Sequence, residues 1–160
     1  MILLTVGTQL DFDRLVTAMD AIAPALGQDI VAQTGPSRYR PANFIAQDKI
    51  APEQFENLAA EAQVIVAHAG IGTVMLAQRL GKPLVILPRR ADLGEHRNDH
   101  QLATTRALED RAGIFVAESE TQLVGRIETA LRAGDWAARP SPTLDRLRAS
   151  VAHFIDHGSL

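Results

Sequence analysis

The chain has 160 residues, 46% hydrophobic and 22% charged, with a formal net charge of −3. That is one ordinary globular domain with room for a buried core, and its acidic balance gives no support to nucleic-acid binding. The absence of cysteine excludes a disulfide scaffold and thiolate chemistry and suits a reducing, cytoplasmic compartment.

Met1 leads directly into Ile-Leu-Leu-Thr-Val, so no signal peptide is expected, and no apolar run approaches the length of a bilayer span. Residues 2–6 predict a first buried strand, ended by Gly7 and Thr8. Asp11 or Asp13 is placed to cap a helix with Leu15, Val16, Met19, Ile22 and Ala23 on its apolar face, Pro24 late in it and Gly27 at its end. Asp29–Gln33 reads as a second strand, followed by the turn Thr34-Gly35-Pro36. Asn43–Gln47 reads as a short third one. Pro52 opens a helix through Phe55, Leu58 and Ala62, with Glu53 and Glu56 where the helix dipole favours acidic residues.

Gln63–Gln101 carries the strongest pattern. Val64–Ala67 is apolar without alternation, as in a strand buried on both faces. Gly70 and Gly72 bracket a turn, Thr73–Leu80 has helical periodicity up to Gly81, and Leu84–Leu87 is a further buried strand. A helix over Gln101–Arg111 ends at Gly113, and Ile114–Ala117 is the last strand. Ser119 and Gln122 have capping-box spacing for a helix over Glu120–Arg132. After a turn-rich link from Trp136 to Pro142, Thr143 begins a final amphipathic helix with Leu144, Leu147, Val151, Phe154 and Ile155 on one face. Packing on its own domain and docking on a partner both fit that face.

Alternating strands and helices predict an α/β fold: a Rossmann-like, three-layer parallel sheet of about six strands with helices on both faces. Ligands of such sheets bind at the carboxyl ends of the strands, and three polar loops emerge there. The first is Gly7-Thr8-Gln9. The second, His68-Ala69-Gly70-Ile71-Gly72-Thr73, suits either a tight turn or a phosphate approaching backbone amides at a helix N-terminus. The third concentrates Arg89, Arg90, Glu95, His96, Arg97, Asn98, Asp99, His100 and Gln101. Amide and carboxylate side chains suit sugar hydroxyls, and arginines suit phosphate or a sugar carboxylate.

The motifs His-Ala-Gly-Ile-Gly-Thr (68–73), Leu-Gly-Lys-Pro-Leu-Val-Ile-Leu-Pro-Arg-Arg (80–90) and Gly-Glu-His-Arg-Asn-Asp-His-Gln-Leu-Ala (94–103) resemble the C-terminal, sugar-nucleotide-binding half of GT-B glycosyltransferases, the family 28 type. Val6–Val16 fits as well, so the resemblance covers roughly residues 1–132. It extends to stand-alone versions of that half. These include the catalytic subunit of the two-part UDP-GlcNAc transferase of asparagine-linked glycan assembly. Small bacterial exopolysaccharide subunits, some of them glucuronosyltransferases, pair in the same way with a membrane-associated protein.

The resemblance implies that Gly7, Thr8, Gly70, Gly72 and Thr73 surround the donor diphosphate and that the backbone near Ile50–Pro52 meets the uracil. It implies that Asn98, His100 and Gln101 bind the donor sugar or shape its pocket. Arg89, Arg90 and Arg97 would hold a uronic acid, with UDP-glucuronate, UDP-GlcNAc and UDP-glucose all open as donors. Relatives carry a ribose-binding glutamate where this chain has Leu76, and Glu95 is the candidate to replace it. The implied reaction is inverting transfer of a hexose-type sugar to a lipid-linked saccharide acceptor in polysaccharide synthesis. Backbone amides and Arg89 or Arg90 would stabilise the departing UDP, without a metal or other cofactor. His68 and His96 are the candidate bases. The acceptor half would come from a membrane-associated partner subunit that recruits the chain to the inner face of the membrane.

Two other classes fit less of the chain. A regulatory module would bind the nucleotide without chemistry. UDP-GlcNAc 2-epimerases need a second domain, and the glycine fingerprint and acidic residue of a dinucleotide-binding dehydrogenase are missing.

Overall fold

The computed structural model describes residues 1–98 and 100–136, with the backbone alone for His100 and Leu102. Its strands are β1 (Ile2–Thr5), β2 (Ile30–Gln33), β3 (Ile45–Gln47), β4 (Val64–His68), β5 (Leu84–Leu87) and β6 (Ile114–Val116). Its helices are α1 (Asp13–Leu26), α2 (Pro52–Glu61), α3 (Ile71–Leu80), α4 (His100–Leu108) and α5 (Leu123–Ala133), with short 3-10 turns at Ala91–Leu93 and Glu120–Gln122. The strands form one six-stranded sheet in the order β3-β2-β1-β4-β5-β6. Every neighbouring pair is parallel, which is the Rossmann-like arrangement expected.

Successive side chains on a strand point to opposite faces, and here both faces are covered. Ile2, Leu4, Val64, Val66, Val85 and Leu87 face α1 and α5, where Leu15, Val16, Met19, Leu123 and Ile127 close over them. Leu3, Ile65, Ala67, Leu84 and Ile86 face the other way, against Ala59 of α2, Val74 and Ala77 of α3 and Leu108 of α4. That double burial is why the strands read as unbroken apolar runs.

The register sets the site. Thr5 lies opposite Ala67 and His68 opposite Leu87, so the loops leaving β1, β4 and β5 begin side by side at one carboxyl edge. From β1 the chain crosses to β2 on one side, and from β4 it crosses to β5 on the other. The two loops diverge, and the crevice between them is where a parallel sheet of this order takes its ligand.

Several local expectations are corrected. Neither Asp11 nor Asp13 caps α1, which starts after Phe12 without a side-chain cap. Oδ1 of Asp13 instead accepts hydrogen bonds from Ser37 Oγ and from Arg38 N at 3.1 Å. Two turns along the same face, the buried carboxylate of Asp20 accepts from Tyr39 Oη (2.7 Å), Asn43 N (2.8 Å) and Ala42 N (3.1 Å). The two aspartates strap residues 37–43 against α1. Ser119 makes no capping bond. Oε1 of Gln122 accepts from Glu118 N at 3.0 Å, one residue before the expected partner, and a 3-10 turn precedes α5. Helix α4 stops at Leu108, where Arg111 N bonds back to the Leu108 carbonyl at 2.9 Å and tightens the approach to β6.

At the amino edge of the sheet, Trp136 N donates to Gly81 O at 3.0 Å and Lys82 Nζ pairs with Asp135 at 2.7 Å. The link beyond Trp136, the final helix expected from Thr143, and Asp99 lie outside the described residues. Among the described residues no helix is long and apolar enough to cross a membrane.

Candidate functional site

The crevice holds a cavity of about 260 Å³ lined by Val6, Gly7, Thr8, Gln9, Leu10, His68, Arg89, His96 and Gln101. Val6 to Leu10 follow β1, His68 ends β4, and Arg89, His96 and Gln101 lie between β5 and the first turn of α4, so Gly7, Thr8, Gln9, His68, Arg89, His96 and Gln101 come together at one edge.

His68 ends β4, and its imidazole lies between Gly7 and Gly70. A Cβ on Gly7 would stand 3.2 Å from the ring's Cε1, and one on Gly70 would overlap Nε2. Nδ1 is buried without a hydrogen-bond partner among the described residues. Burial, with the Arg89 guanidinium and His96 adding repulsion, pushes the His68 pKa down to about 4; the nearby Thr5 backbone offsets part of this without making a well-formed bond. The ring is therefore neutral at physiological pH.

Gly70 precedes α3, and Gly72 sits in its first turn with open space where a side chain would be. The amides of Ile71, Gly72 and Thr73 have no intrahelical acceptor, and the positive end of the dipole adds to them. Gly70, Gly72 and Thr73 stand beside the cavity wall rather than in it. Leu76, where the resemblance implies a ribose-binding glutamate, packs partly buried against the apolar core under α3.

The third loop is held by its own charges. Arg89 is 2% exposed. Its Nη2 donates to Val6 O (2.9 Å) and Leu10 O (3.0 Å), and its Nη1 to Asp11 O and, at 3.5 Å, to Glu95 O. Those contacts engage all the Nη hydrogens of a guanidinium, so Arg89 lines the cavity as wall and does not reach out to a sugar carboxylate. Glu95, the candidate ribose ligand, is likewise engaged. Its carboxylate accepts a bidentate pair from Arg14 at 2.6 and 2.8 Å and a bond from Arg90 N at 2.9 Å. Arg90 pairs with Asp92, and Arg97 is exposed.

Oε1 of Gln101, at the start of α4, accepts from Arg89 N (3.0 Å) and Ala69 N (3.3 Å), tying the second and third loops together. Nδ1 of His96 lies 3.1 Å from Asn98 O and 3.2 Å from its Oδ1. His100 contributes backbone to α4. Ile50 N is taken by Oε1 of Gln33 at 3.0 Å.

Sequence reasoning missed Phe12 and Arg14. Phe12 is 1% exposed, with the Arg89 and Arg14 guanidinium carbons 4.6 and 5.2 Å from its ring centre. A signal for Arg14 was present: an arginine in the first turn of a helix opposes the dipole and needs an acidic partner from elsewhere in the chain.

The family model described as glycosyltransferase family 28 C-terminal domain matches residues 1–143. Among solved structures, the chain is similar to ALG13 with a TM-score of 0.63 at 14% identity, covering 91% of this chain and 93% of that one. It is similar to the glycotransferase of kitacinnamycin (TM-score 0.60, 19% identity, 99% and 40% covered) and to the spinosyn forosaminyltransferase SpnP (0.58, 18%, 81% and 34%). At these identities the likeness is one of fold. The chain spans little more than a third of the latter two proteins and nearly all of ALG13. No curated protein sequence matches the chain.

Proposed function

The chain belongs to the glycosyltransferase family 28 C-terminal domain family, and we propose that it is the donor-binding half of a two-component UDP-sugar glycosyltransferase. The observation that carries this reading is the cavity between the β1 and β4 loops. It is walled by Gly7-Thr8-Gln9, His68 and Gln101, with the open first turn of α3 beside it. Such a crevice suits a nucleoside diphosphate: uncommitted amides and a helix N-terminus for the two phosphates, and a neutral imidazole that donates or accepts one hydrogen bond.

In the proposed mechanism the donor is a UDP-hexose and the acceptor a lipid-linked saccharide. As the glycosidic oxygen leaves with UDP, negative charge grows on the diphosphate, and the amides of the first and second loops stabilise it. Inversion needs a base on the acceptor side. His68 is poorly placed for that, because its ring is packed into the wall; it orients the donor. His96, partly exposed at the rim, is the candidate in this chain, and a partner subunit supplies the rest of the acceptor site. The similarity in fold to ALG13, 93% of which is covered, supports that division of labour, and recruitment to the membrane through the partner is part of the proposal. With Arg89 engaged by carbonyls, selection of a uronic acid donor falls to Arg90 and Arg97.

The test is calorimetric titration with UDP, UDP-GlcNAc, UDP-glucose and UDP-glucuronate, alone and with the co-expressed partner. Tight binding of one UDP-sugar, and transfer only with the partner present, is the expected result. No binding in either form would overturn the proposal.

A further inference from the structure

The loop from Val6 to Asp11 forms one wall of the cavity, yet little within it holds its shape. Gly7 N bonds to Thr5 Oγ1 at 3.2 Å. The backbone amides of Thr8, Gln9 and Leu10 have no acceptor among the described residues, and these three residues are exposed. What organises the loop lies beneath it. One guanidinium, from Arg89 at the end of β5, holds the carbonyl at the loop's start (Val6, 2.9 Å) and those at its end (Leu10, 3.0 Å, and Asp11). Its face rests on Phe12 at 4.6 Å. Arg14, 5.2 Å from the same ring, grips Glu95 of the third loop and Pro88 O at 2.8 Å. The first loop and the start of α1 are thus tied to the third loop by two arginines that both lie against Phe12.

We propose that Arg89 is a positioning residue: it draws both ends of the Val6–Asp11 loop onto one buried guanidinium, so that the free amides of Thr8, Gln9 and Leu10 stand ready for the anionic diphosphate of the donor. This rests on the donor-binding reading and adds a residue role to it. A planar fork with several donors is required, because three carbonyls at different bearings must be met at once. A lysine places a point charge at the same spot and cannot span them. The buried positive charge also favours an anion in the cavity without touching it.

The experiment is backbone amide NMR of the full chain with UDP and with inorganic pyrophosphate as probes, on wild type and Arg89→Lys. In wild type, both probes should shift the Thr8, Gln9 and Leu10 amides. In Arg89→Lys, the rest of the spectrum should be retained. The loop amides should show lowered order parameters in the ligand-free protein, and UDP affinity should fall at least about tenfold.

Shifts at Ile71–Thr73 with none at Thr8–Leu10 would overturn the inference while leaving the donor reading intact. So would an Arg89→Lys protein that binds UDP as wild type does, since a charge alone would then suffice. If neither probe binds, alone or with the co-expressed partner, the donor reading fails. The ligand-free comparison then decides the positioning claim by itself, a loop equally rigid in both proteins refuting it. If Arg89→Lys does not fold, the ligand-free wild type decides: the proposal expects ordered Thr8, Gln9 and Leu10 amides before any ligand is added, and mobile ones refute it.

Discussion

His68 and Gly70 compete for one space. The imidazole lies where a side chain on Gly70 would go, its Cε1 2.9 Å and Cδ2 3.1 Å from the position of a Cβ and its Nε2 nearer still. Gly70 has φ −86°, open to any residue, so the glycine is required by the packed ring rather than by the turn.

Gly70→Ala is therefore expected to cost about 1–3 kcal/mol of stability, the usual range for overpacking. Adding His68→Ala should return part of that loss, because the overlap disappears with the ring. A double-mutant cycle in urea measures the coupling. Strictly additive effects would show that the two residues do not share the space.

The same ring predicts an acid-side dependence. His68 is lowered to about 4 from an ordinary 6.5, burial being the largest cause. The unfolded chain therefore takes up this proton first as pH falls. The stability is fully present above about pH 6.5, declines below it, and is smaller by about 2 kcal/mol near pH 5. His68→Gln should flatten this decline. Comparing urea denaturation of the two proteins near pH 7 and near pH 5 checks it, and parallel losses would refute it.

Asp20 titrates in a different window. Burial alone would raise its pKa, but hydrogen bonds from Tyr39, Asn43 and Ala42 outweigh it and hold the carboxyl below the ordinary aspartate range. Its contribution is present above the unfolded pKa and is lost as pH falls through the lower folded value. Asp20→Asn should cost about 1–3 kcal/mol at neutral pH, since at least one buried bond loses its acceptor. The difference from wild type should narrow only below about pH 4. A gap that closes nearer pH 6 would assign the effect to another group.

Gly113 and Trp136 give an optical test at the opposite edge. Gly113 has φ +78°, and a Cβ there would overlap the Trp136 indole. Gly113→Ala should cost about 1–3 kcal/mol from backbone strain alone, and more from expelling the indole. Trp136 is the only tryptophan in the chain, so its emission should move to longer wavelength. Unchanged emission would mean that the indole does not cover Gly113.

The layer architecture was legible because burial writes itself into local pattern. Val64–Ala67 and Leu84–Leu87 are apolar without alternation since helices cover both faces of their strands, and those runs read correctly. The three polar loops were also placed on the right edge, because a parallel sheet sends every strand's carboxyl end the same way. The capping roles of Asp13 and Ser119 were misread. A short polar side chain near a helix start serves the helix in isolation, but Asp13 is drawn to residues 37–39 by a strap that only the folded chain brings near.

By itself, then, the sequence determined the order of strands and helices, which loops gather at the carboxyl edge of the sheet, and which family motifs lie there, all of it encoded within a few turns of chain. Only the tertiary structure decided what the charged residues do. Arg14 and Glu95 are 81 positions apart, and Arg89 reaches Val6 across 83. A loop dense in arginine and glutamate looks the same in sequence whether its charges await a ligand or hold the protein to itself. The difference is one of desolvation: a guanidinium buried under a loop must satisfy its donors on the nearest carbonyls, and which carbonyls those are is settled by packing.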